Sequence, residues 1–205
     1  MRGRSSWLVF LALVGGCGGA PLASSPKVLP PRAAPKADAE VYALDPRTLT
    51  VDVEVKAFTT HTLRFQKRSG TLTFSAATPL ASTLRVDVET QSAEATLKAV
   101  ADVAKWDFLA AGSYPHAGFE SHVLRKEGDA LYLVGALELR GKTRPIDFPL
   151  QLEVKECELH VVASFRVHRR DFDVVAANSK LDGAVSEDVT VNAEVKVARK
   201  RPGCP

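Results

Sequence analysis

A chain of 205 residues suits one globular domain with short appendages, and 45% hydrophobic against 25% charged residues is the balance of an ordinary folded protein. The formal net charge is only +3, and lysine and arginine are interspersed with aspartate and glutamate. The sequence has no basic stripe for phosphate contacts, which excludes a nucleic-acid partner.

The N-terminus, MRGRSSWLVFLALVGGC, has the pattern of a secretory signal. Its apolar run from Trp7 to Val14 is much shorter than the roughly 20 residues of a membrane-spanning helix. The residues that end at Cys17 resemble the bacterial lipobox, where the signal is cut before the cysteine and the thiol is acylated. We therefore predict a signal peptide at 1–16 and lipidation of Cys17. Cleavage at a later small-residue site, which would leave a free periplasmic protein, is the alternative.

Residues 17–39 are rich in proline, alanine, serine and glycine and are predicted to form a lipidated, disordered tether, because they cannot bury enough apolar surface to offset chain entropy. Gly18 follows the cysteine where aspartate would mark inner-membrane retention. The predicted location is the bacterial cell envelope, with a lipid anchor in the outer membrane and the protein facing the periplasm. Removal of Arg2 and Arg4 with the signal lowers the net charge from +3 to +1.

The body, from 40 to 199, alternates apolar and polar residues over long stretches, which predicts about eight or nine half-buried strands. Turn signals such as Ser69-Gly70 and Gly141-Lys142 separate them and predict hairpins, hence an antiparallel sheet. The regular segments are 49–55, 84–88, 131–139, 146–154, 159–165 and 189–197, with shorter ones at 62–68, 70–76 and 117–125.

One interruption, at about 92–111, predicts one short amphipathic helix because apolar residues recur at three- and four-residue spacing, at Leu97, Val100, Val103, Ala104 and Phe108. A sheet of this size with one apolar face must close into a barrel or split into a sandwich. The periodicity is compatible with both.

Several local patterns occur in the order found in the YceI-like family. The family's "DFFD…YP…F.S" signature resembles the stretch from Asp107 to Ser121, and its "G.LTIRG.T.PV" hairpin resembles the stretch from Gly135 to Pro145. The opening Tyr42 to Pro46 and the later Val167 to Phe172 also match in order, so the resemblance covers about 41 to 198. It implies an all-β fold, an eight-stranded antiparallel lipocalin-like barrel whose interior holds a long apolar lipid such as a polyisoprenoid or an isoprenoid quinone.

The inward apolar faces supply candidate contacts for such a lipid tail, although plain core packing explains each of them as well. No cofactor other than a bound lipid is expected, and whether the barrel forms a homodimer is left open. The candidate contacts are Phe74, Leu97, Phe119, Leu133, Leu137, Phe148 and Phe165.

Two cysteines remain once Cys17 is assigned to acylation, and the predicted compartment is oxidising. If 158–168 pairs antiparallel with 187–199, Cys157 lies beside the exit of the last strand and near Cys204 in the tail at 200–205. A disulfide is therefore predicted, with two free thiols as the alternative.

The sequence lacks the motifs of common enzymes: it has no Gly-X-Ser-X-Gly elbow, phosphate loop, HExxH or CxxC. His116 and His122 would share a strand face but lie about 20 Å apart, too far to share a metal ion. We therefore predict no catalytic residue and no metal. The leading hypothesis is a lipid binder for sequestration or transport, and the alternative is a non-enzymatic envelope interaction module with a filled barrel.

Overall fold

The computed structural model describes residues 20–23, 28–199 and 203–204. The predicted signal peptide at 1–16 and the predicted lipidation site Cys17 lie outside these residues and stay predictions. Among the described residues, no helix combines the length and the apolar character needed to cross a membrane.

One antiparallel sheet of eleven strands, counted over the described residues, curls around a common apolar core. This confirms the predicted antiparallel, lipocalin-like architecture. The sheet order is β1-β4-β5-β7-β8-β9-β10-β11-β2-β3-β6. The strands are β1 (Glu40–Ala43), β2 (Leu49–Lys56), β3 (Thr60–Phe65), β4 (Arg68–Phe74), β5 (Thr83–Glu89), β6 (Ala93–Glu94), β7 (His116–Glu127), β8 (Ala130–Leu139), β9 (Lys142–Val154), β10 (Glu158–His168) and β11 (Asp188–Ala198).

Strands β1 and β6 were not among the nine predicted segments, because stretches of four and two residues are too short to display an alternating pattern. The long pairing of β10 with β11, from Glu158 opposite Ala198 to His168 opposite Asp188, agrees with the pairing assumed from the sequence. Regular alternation along both strands fixes this register, since a slip of one residue would turn every inward side chain outward.

The helical region differs from the single helix predicted over 92–111. Residues 93–94 are instead strand β6, because they pair with Phe65 and Arg64 of β3. Helix α1 (Lys98–Val103) follows and continues as a π-helical turn (Ala104–Phe108).

A second helix, α2 (Ser179–Ala184), was not predicted, because six residues give too little periodicity to detect. The side chain of Asn178 caps it by accepting hydrogen bonds from the backbone N–H groups of Lys180 and Leu181. Three 3₁₀ turns complete the helical elements of the described chain: Pro79–Ala81, Thr90–Ser92 and Arg169–Phe172.

The two ends of the barrel differ in what lies across them. The helical end carries the β2–β3 turn, the β8–β9 turn, α1 with its π-helical turn, and the segment 169–187 that contains α2. Hydrogen bonds tie these parts together: Ser186 N–H donates to Lys56 C=O, and the Arg140 guanidinium donates to Phe108 C=O and Val175 C=O. The opposite, disulfide end carries the β7–β8 and β9–β10 turns, the β4–β5 connection and the exit of β11.

The predicted disordered tether is described at 20–23 and 28–39, and both pieces lie against the barrel. Arg166 exchanges backbone hydrogen bonds of 2.6 and 2.7 Å with the segment 20–23, and Ala33 N–H donates to His122 C=O at 2.7 Å. These backbone groups are available because the β9–β10 pairing ends before Arg166 and a bulge in β7 leaves His122 outside the ladder. The described part of the predicted tether thus contacts the barrel through backbone hydrogen bonds.

Candidate functional site

The interior of the barrel contains a cavity of about 470 Å³. Inward side chains of the long strands form its wall together with α1, α2 and the segment between α2 and β11, and the wall is almost entirely aliphatic and aromatic. The volume falls within the range of about 300–1,000 Å³ typical of small-molecule sites. The ionisable residues that the described wall includes are His61, Arg169 and Glu194.

Three phenylalanines from three strands meet in the wall. The rings of Phe148 and Phe165 stack with centroids 3.8 Å apart and planes 9° apart, and Phe119 packs against Phe148 at 5.1 Å. Leu133 and Leu137 of β8 also line the cavity. The structure thus brings these five predicted contact residues together around one interior space.

Two predicted contact residues do not line the cavity. Phe74 is buried at the disulfide end, with the Arg199 guanidinium 5.6 Å from its ring centroid. Leu97 is 59% exposed, because α1 begins only after it and the inward helix face starts later, at Ala99 and Val100. The structure thus places Phe74 in the core and Leu97 on the surface, apart from the other five predicted residues.

Gly135 of β8 makes room for the aromatic cluster, a role that the sequence analysis missed. A Cβ atom at this position would lie 2.6 Å from Cζ of Phe119 and 2.3 Å from the backbone oxygen of Glu120. Only glycine accommodates both neighbours without a shift. A glycine inside an alternating strand often marks such a close approach, so Gly135 could have been noticed in the sequence.

The segment 169–187 also supplies wall residues that sequence reasoning missed. Leu181 and Ala184 of α2 and the neighbouring Val185 face the cavity, and Val174 joins them. Their spacing over 181–185 is helical, but the element is too short for this pattern to stand out from its surroundings.

Arg169 is the buried cation of this segment, with 2% of its surface exposed, and its guanidinium makes five hydrogen bonds to acceptors of the same segment. The guanidinium also lies 5.3 Å from the ring centroid of Phe108. The hydrogen bonds are Nε to Ser186 O at 3.0 Å, Nη1 to Val174 O at 2.6 Å and Asp182 Oδ1 at 2.7 Å, and Nη2 to Asp182 O at 2.9 Å and Val185 O at 3.2 Å.

The Asp182 carboxylate neutralises this cation, and the hydrogen bond from Arg169 holds the pKa of Asp182 below its ordinary value. Arg170 donates to the second oxygen of the same carboxylate at 2.7 Å. Because every guanidinium donor of Arg169 is already used, the residue fixes the shape of the segment and offers no donor to a ligand.

The other two ionisable wall residues are placed differently. The His61 ring lies near the β2–β3 turn, with Nε2 3.1 Å from Oγ1 of Thr59. The carboxylate of Glu194 bonds His160 Nε2 at 2.8 Å on the outer face, and that hydrogen bond lowers the pKa of Glu194. All three ionisable wall residues thus have hydrogen-bond partners within the protein, and the rest of the described wall is almost entirely apolar.

The predicted cysteine pair forms a disulfide at the disulfide end. The Cα atoms of Cys157 and Cys204 are 5.2 Å apart, and the bridge spans 47 residues of sequence. Arg199 N–H donates to Cys157 C=O at 2.9 Å, which adds a second tie between the β9–β10 turn and the chain after β11.

Within the part of the chain that the structure describes, no group of three or more histidine, cysteine, aspartate or glutamate side chains is placed to hold a metal ion. His122 is engaged elsewhere, with Nδ1 2.7 Å from the carbonyl oxygen of Pro30.

Comparison with known proteins gives a family match over most of the chain. The sequence model of the YceI-like domain matches residues 42–197. Protein YceI of Escherichia coli O157:H7 is 36% identical over 90 residues, which are 43% of this chain and 47% of that protein. The chain thus matches about half the length of this curated relative.

Solved structures share the fold at low sequence identity. BcnA of Burkholderia cenocepacia superposes with a TM-score of 0.69 at 20% identity, over 75% of this chain and 99% of that one. A polyisoprenoid binding domain from Saccharophagus degradans, implicated in plant cell wall breakdown, superposes with a TM-score of 0.60 at 16% identity, over 78% of this chain and 98% of that one.

Proposed function

Because this chain belongs to the YceI-like domain family, we propose that it binds a long apolar lipid, of the polyisoprenoid or isoprenoid-quinone type, inside its barrel. The observation that carries this proposal is the 470 Å³ cavity with its apolar wall. A ligand for such a wall gains affinity by burying hydrocarbon, and the polyisoprenoid binding domain described above has the same fold.

The physical argument favours a chain-like hydrocarbon over a polar ligand. Each buried methylene contributes about 0.8 kcal/mol, so about twenty carbons offer ~16 kcal/mol before ordering costs. A polar ligand would lose its hydrogen bonds to water when it entered the cavity. Arg169 and Glu194 would not replace them, because the Arg169 donors are occupied and the Glu194 carboxylate bonds on the outer face.

The same features support binding rather than catalysis. The part of the wall that the structure describes offers neither a nucleophile beside a base nor a pair of facing carboxylates, since its ionisable residues there are His61, Arg169 and Glu194. The cavity also disfavours the alternative of an interaction module with a filled barrel.

We further propose that the protein is an envelope lipoprotein that sequesters or transports its lipid while anchored to the outer membrane through Cys17. The sequence of the first seventeen residues supports this location. An anchored binder would sample membrane lipid at high effective concentration. Replacing Cys17 with Ser should release the protein from membranes, and unchanged membrane partitioning of C17S would refute the anchor.

The binding proposal is tested by filling the cavity. Ala163 of β10 faces the interior, whereas its neighbour Ser164 faces outward and is exposed. Wild-type protein purified from its native host should carry a lipid, detected by native mass spectrometry and by organic extraction. Ala163→Phe should lose most of this lipid because its ring occupies the binding space, and Ser164→Phe, which adds the same ring outside, should retain it.

Uptake by the empty protein completes the test. Protein stripped of lipid should take up an added polyisoprenoid or quinone in the wild-type and Ser164→Phe forms. A wild-type barrel that is purified empty and takes up neither compound would contradict the proposal.

A further inference from the structure

The cavity opens at the helical end, between the β2–β3 turn and α1. Phe58, at the tip of that turn, lines the cavity and is also 96% exposed. Ala99 of α1 likewise lines the cavity and is exposed. A residue that contacts both the cavity and the solvent lies at an opening, so these two positions border the entrance.

Large exposed apolar side chains lie on the two elements that carry these entrance residues. Besides Phe58, Leu97 is 59% exposed at the start of α1, and Trp106 is 54% exposed on the π-helical turn that follows. Phenylalanine and tryptophan are among the side chains that gain most from leaving water, and tryptophan favours the interface between hydrocarbon and water. We call Phe58, Leu97 and Trp106 the apolar rim.

Lysines surround the apolar rim. Lys56 precedes the β2–β3 turn and Lys180 lies on α2, and neither has an ion-pair partner among the described residues. Lys98 and Lys105 flank α1 and share the single carboxylate of Asp102. Counted against Asp102, the exposed Asp107 and Glu54, which is exposed on the same face of β2 as Lys56, these four lysines leave a net charge of +1, which complements an anionic surface.

We propose that the helical end docks onto the surface of an anionic phospholipid bilayer, with Phe58 and Trp106 inserted among the headgroups and Lys56 and Lys180 beside the lipid phosphates. This inference rests on the proposed lipid-binding function and adds its membrane partner. Docking joins the cavity entrance to the bilayer, so a lipid passes between them without exposing its hydrocarbon to water.

The first experiment measures insertion of the rim in the full chain with Cys17→Ser, which removes any acyl anchor. Trp7→Phe in this chain leaves Trp106 as the only tryptophan. The control chain carries Trp7→Phe, Trp106→Phe and Leu80→Trp, which moves the reporter to an exposed site at the disulfide end. Both chains keep the same N-terminal segment, so any binding through that segment affects them equally.

Vesicles with phosphatidylglycerol and brominated acyl chains should quench Trp106 fluorescence and shift its emission to the blue, while the relocated tryptophan of the control chain should change little. Vesicles of phosphatidylcholine alone should quench Trp106 less. Equal quenching of both reporters, no quenching of Trp106, or burial of Trp106 in a dimer without vesicles would overturn the docking proposal.

The second experiment separates docking from lipid binding. Lys180→Glu and Lys126→Glu each reverse one exposed lysine, at the helical end and at the disulfide end respectively. Uptake of a polyisoprenoid from phosphatidylglycerol vesicles should slow roughly tenfold in Lys180→Glu, because two units of charge change at the membrane surface. Lys126→Glu should match the wild type.

Uptake from detergent micelles should be equal in all three proteins, because it requires the cavity but no anionic bilayer. If Lys180→Glu and the wild type take up lipid from vesicles at the same rate, the docking proposal is overturned while the lipid-binding proposal stands. No uptake from either source would refute the proposed lipid-binding function, and Trp106 quenching would still decide the docking.

Discussion

Two buried arginines, Arg169 and Arg199, lie at opposite ends of the barrel and are held in different ways. Arg169, at the helical end, is 2% exposed, bonds five acceptors and pairs with Asp182. Arg199, at the disulfide end, is 5% exposed and lies over the ring of Phe74. One Nη of Arg199 donates to Lys155 O at 3.1 Å, while its Nε and other Nη have no acceptor among the described residues.

The difference shows which contacts stabilise each end. At the helical end, one guanidinium organises the backbone of the segment 169–187, so that α2 can present apolar side chains to the cavity. At the disulfide end, the covalent bridge between Cys157 and Cys204 closes the chain, and Arg199 contributes few hydrogen bonds. The helical end therefore depends on polar complementarity and the disulfide end on a cross-link.

The largest expected effect comes from Arg169→Met, which removes the cation and keeps most of the side-chain volume. Five acceptors lose their donor and the buried Asp182 loses its main partner, so the free energy of unfolding should fall by about 3–5 kcal/mol. Urea denaturation measures the loss. Arg170→Met, at a more exposed neighbour of the same carboxylate, should cost less than about 1 kcal/mol. Equal losses would show that Arg169 is not the organising residue.

The next effect tests the cross-link at the other end. Cys204→Ser opens a bridge that spans 47 residues, and the free energy of unfolding should fall by about 2–4 kcal/mol because the unfolded chain gains freedom. Cys157→Ser should cost the same amount. Dithiothreitol should destabilise the wild type equally and leave both variants unchanged in urea denaturation; an additional loss in either variant would point to a role for the thiol itself.

Arg199→Met should change the free energy of unfolding less. It makes the same substitution as Arg169→Met, so the two buried arginines can be compared directly. The variant loses one hydrogen bond and the contact with Phe74, but it also removes two buried donors without acceptors among the described residues. These contributions oppose each other, so stability should change by no more than about 1 kcal/mol in urea denaturation. A loss as large as that of Arg169→Met would break the distinction between the two ends.

The smallest effect is the pH dependence that Asp182 contributes. The hydrogen bond from Arg169 lowers the pKa of this carboxyl in the folded protein, so its stabilisation is present above the pKa of the unfolded chain. It is lost as the pH falls below about 4 and the carboxylate becomes protonated. The free energy of unfolding between pH 6 and pH 3 should therefore decline less steeply in Asp182→Asn than in the wild type, and parallel curves would exclude this contribution.

Much of the sheet could be predicted because its long strands alternate regularly. In β10 and β11, every second residue is apolar over eleven positions, and one register alone turns all of them inward. Strand β6 and helix α2 could not be predicted in this way. Ala93 is in a strand because β3 offers it a partner, and Leu181 is in a helix because the contacts of Arg169 hold the segment around it.

The candidate site could be predicted only to the level of which face is apolar. Phe148 and Phe74 both point inward from regular strands, yet Phe148 meets the cavity while Phe74 meets the sealed core at the disulfide end. Leu97 has helical spacing to its successors, but the helix begins one residue later and leaves it in solvent. Whether such a residue contacts the cavity depends on its position along the barrel axis. The alternation of apolar and polar residues in a strand shows which face is inward, but it does not show this position.

The sequence by itself determined the antiparallel sheet, the turns between its long strands and the cysteine pair available for a cross-link, because strand periodicity and turn chemistry are local properties. Only the tertiary structure decided where the barrel is filled and where it is hollow, which exposed side chains border the entrance, and that Arg169 is buried. Those features depend on contacts between residues far apart in the chain, and they exist only once the sheet has curled and brought its two ends together.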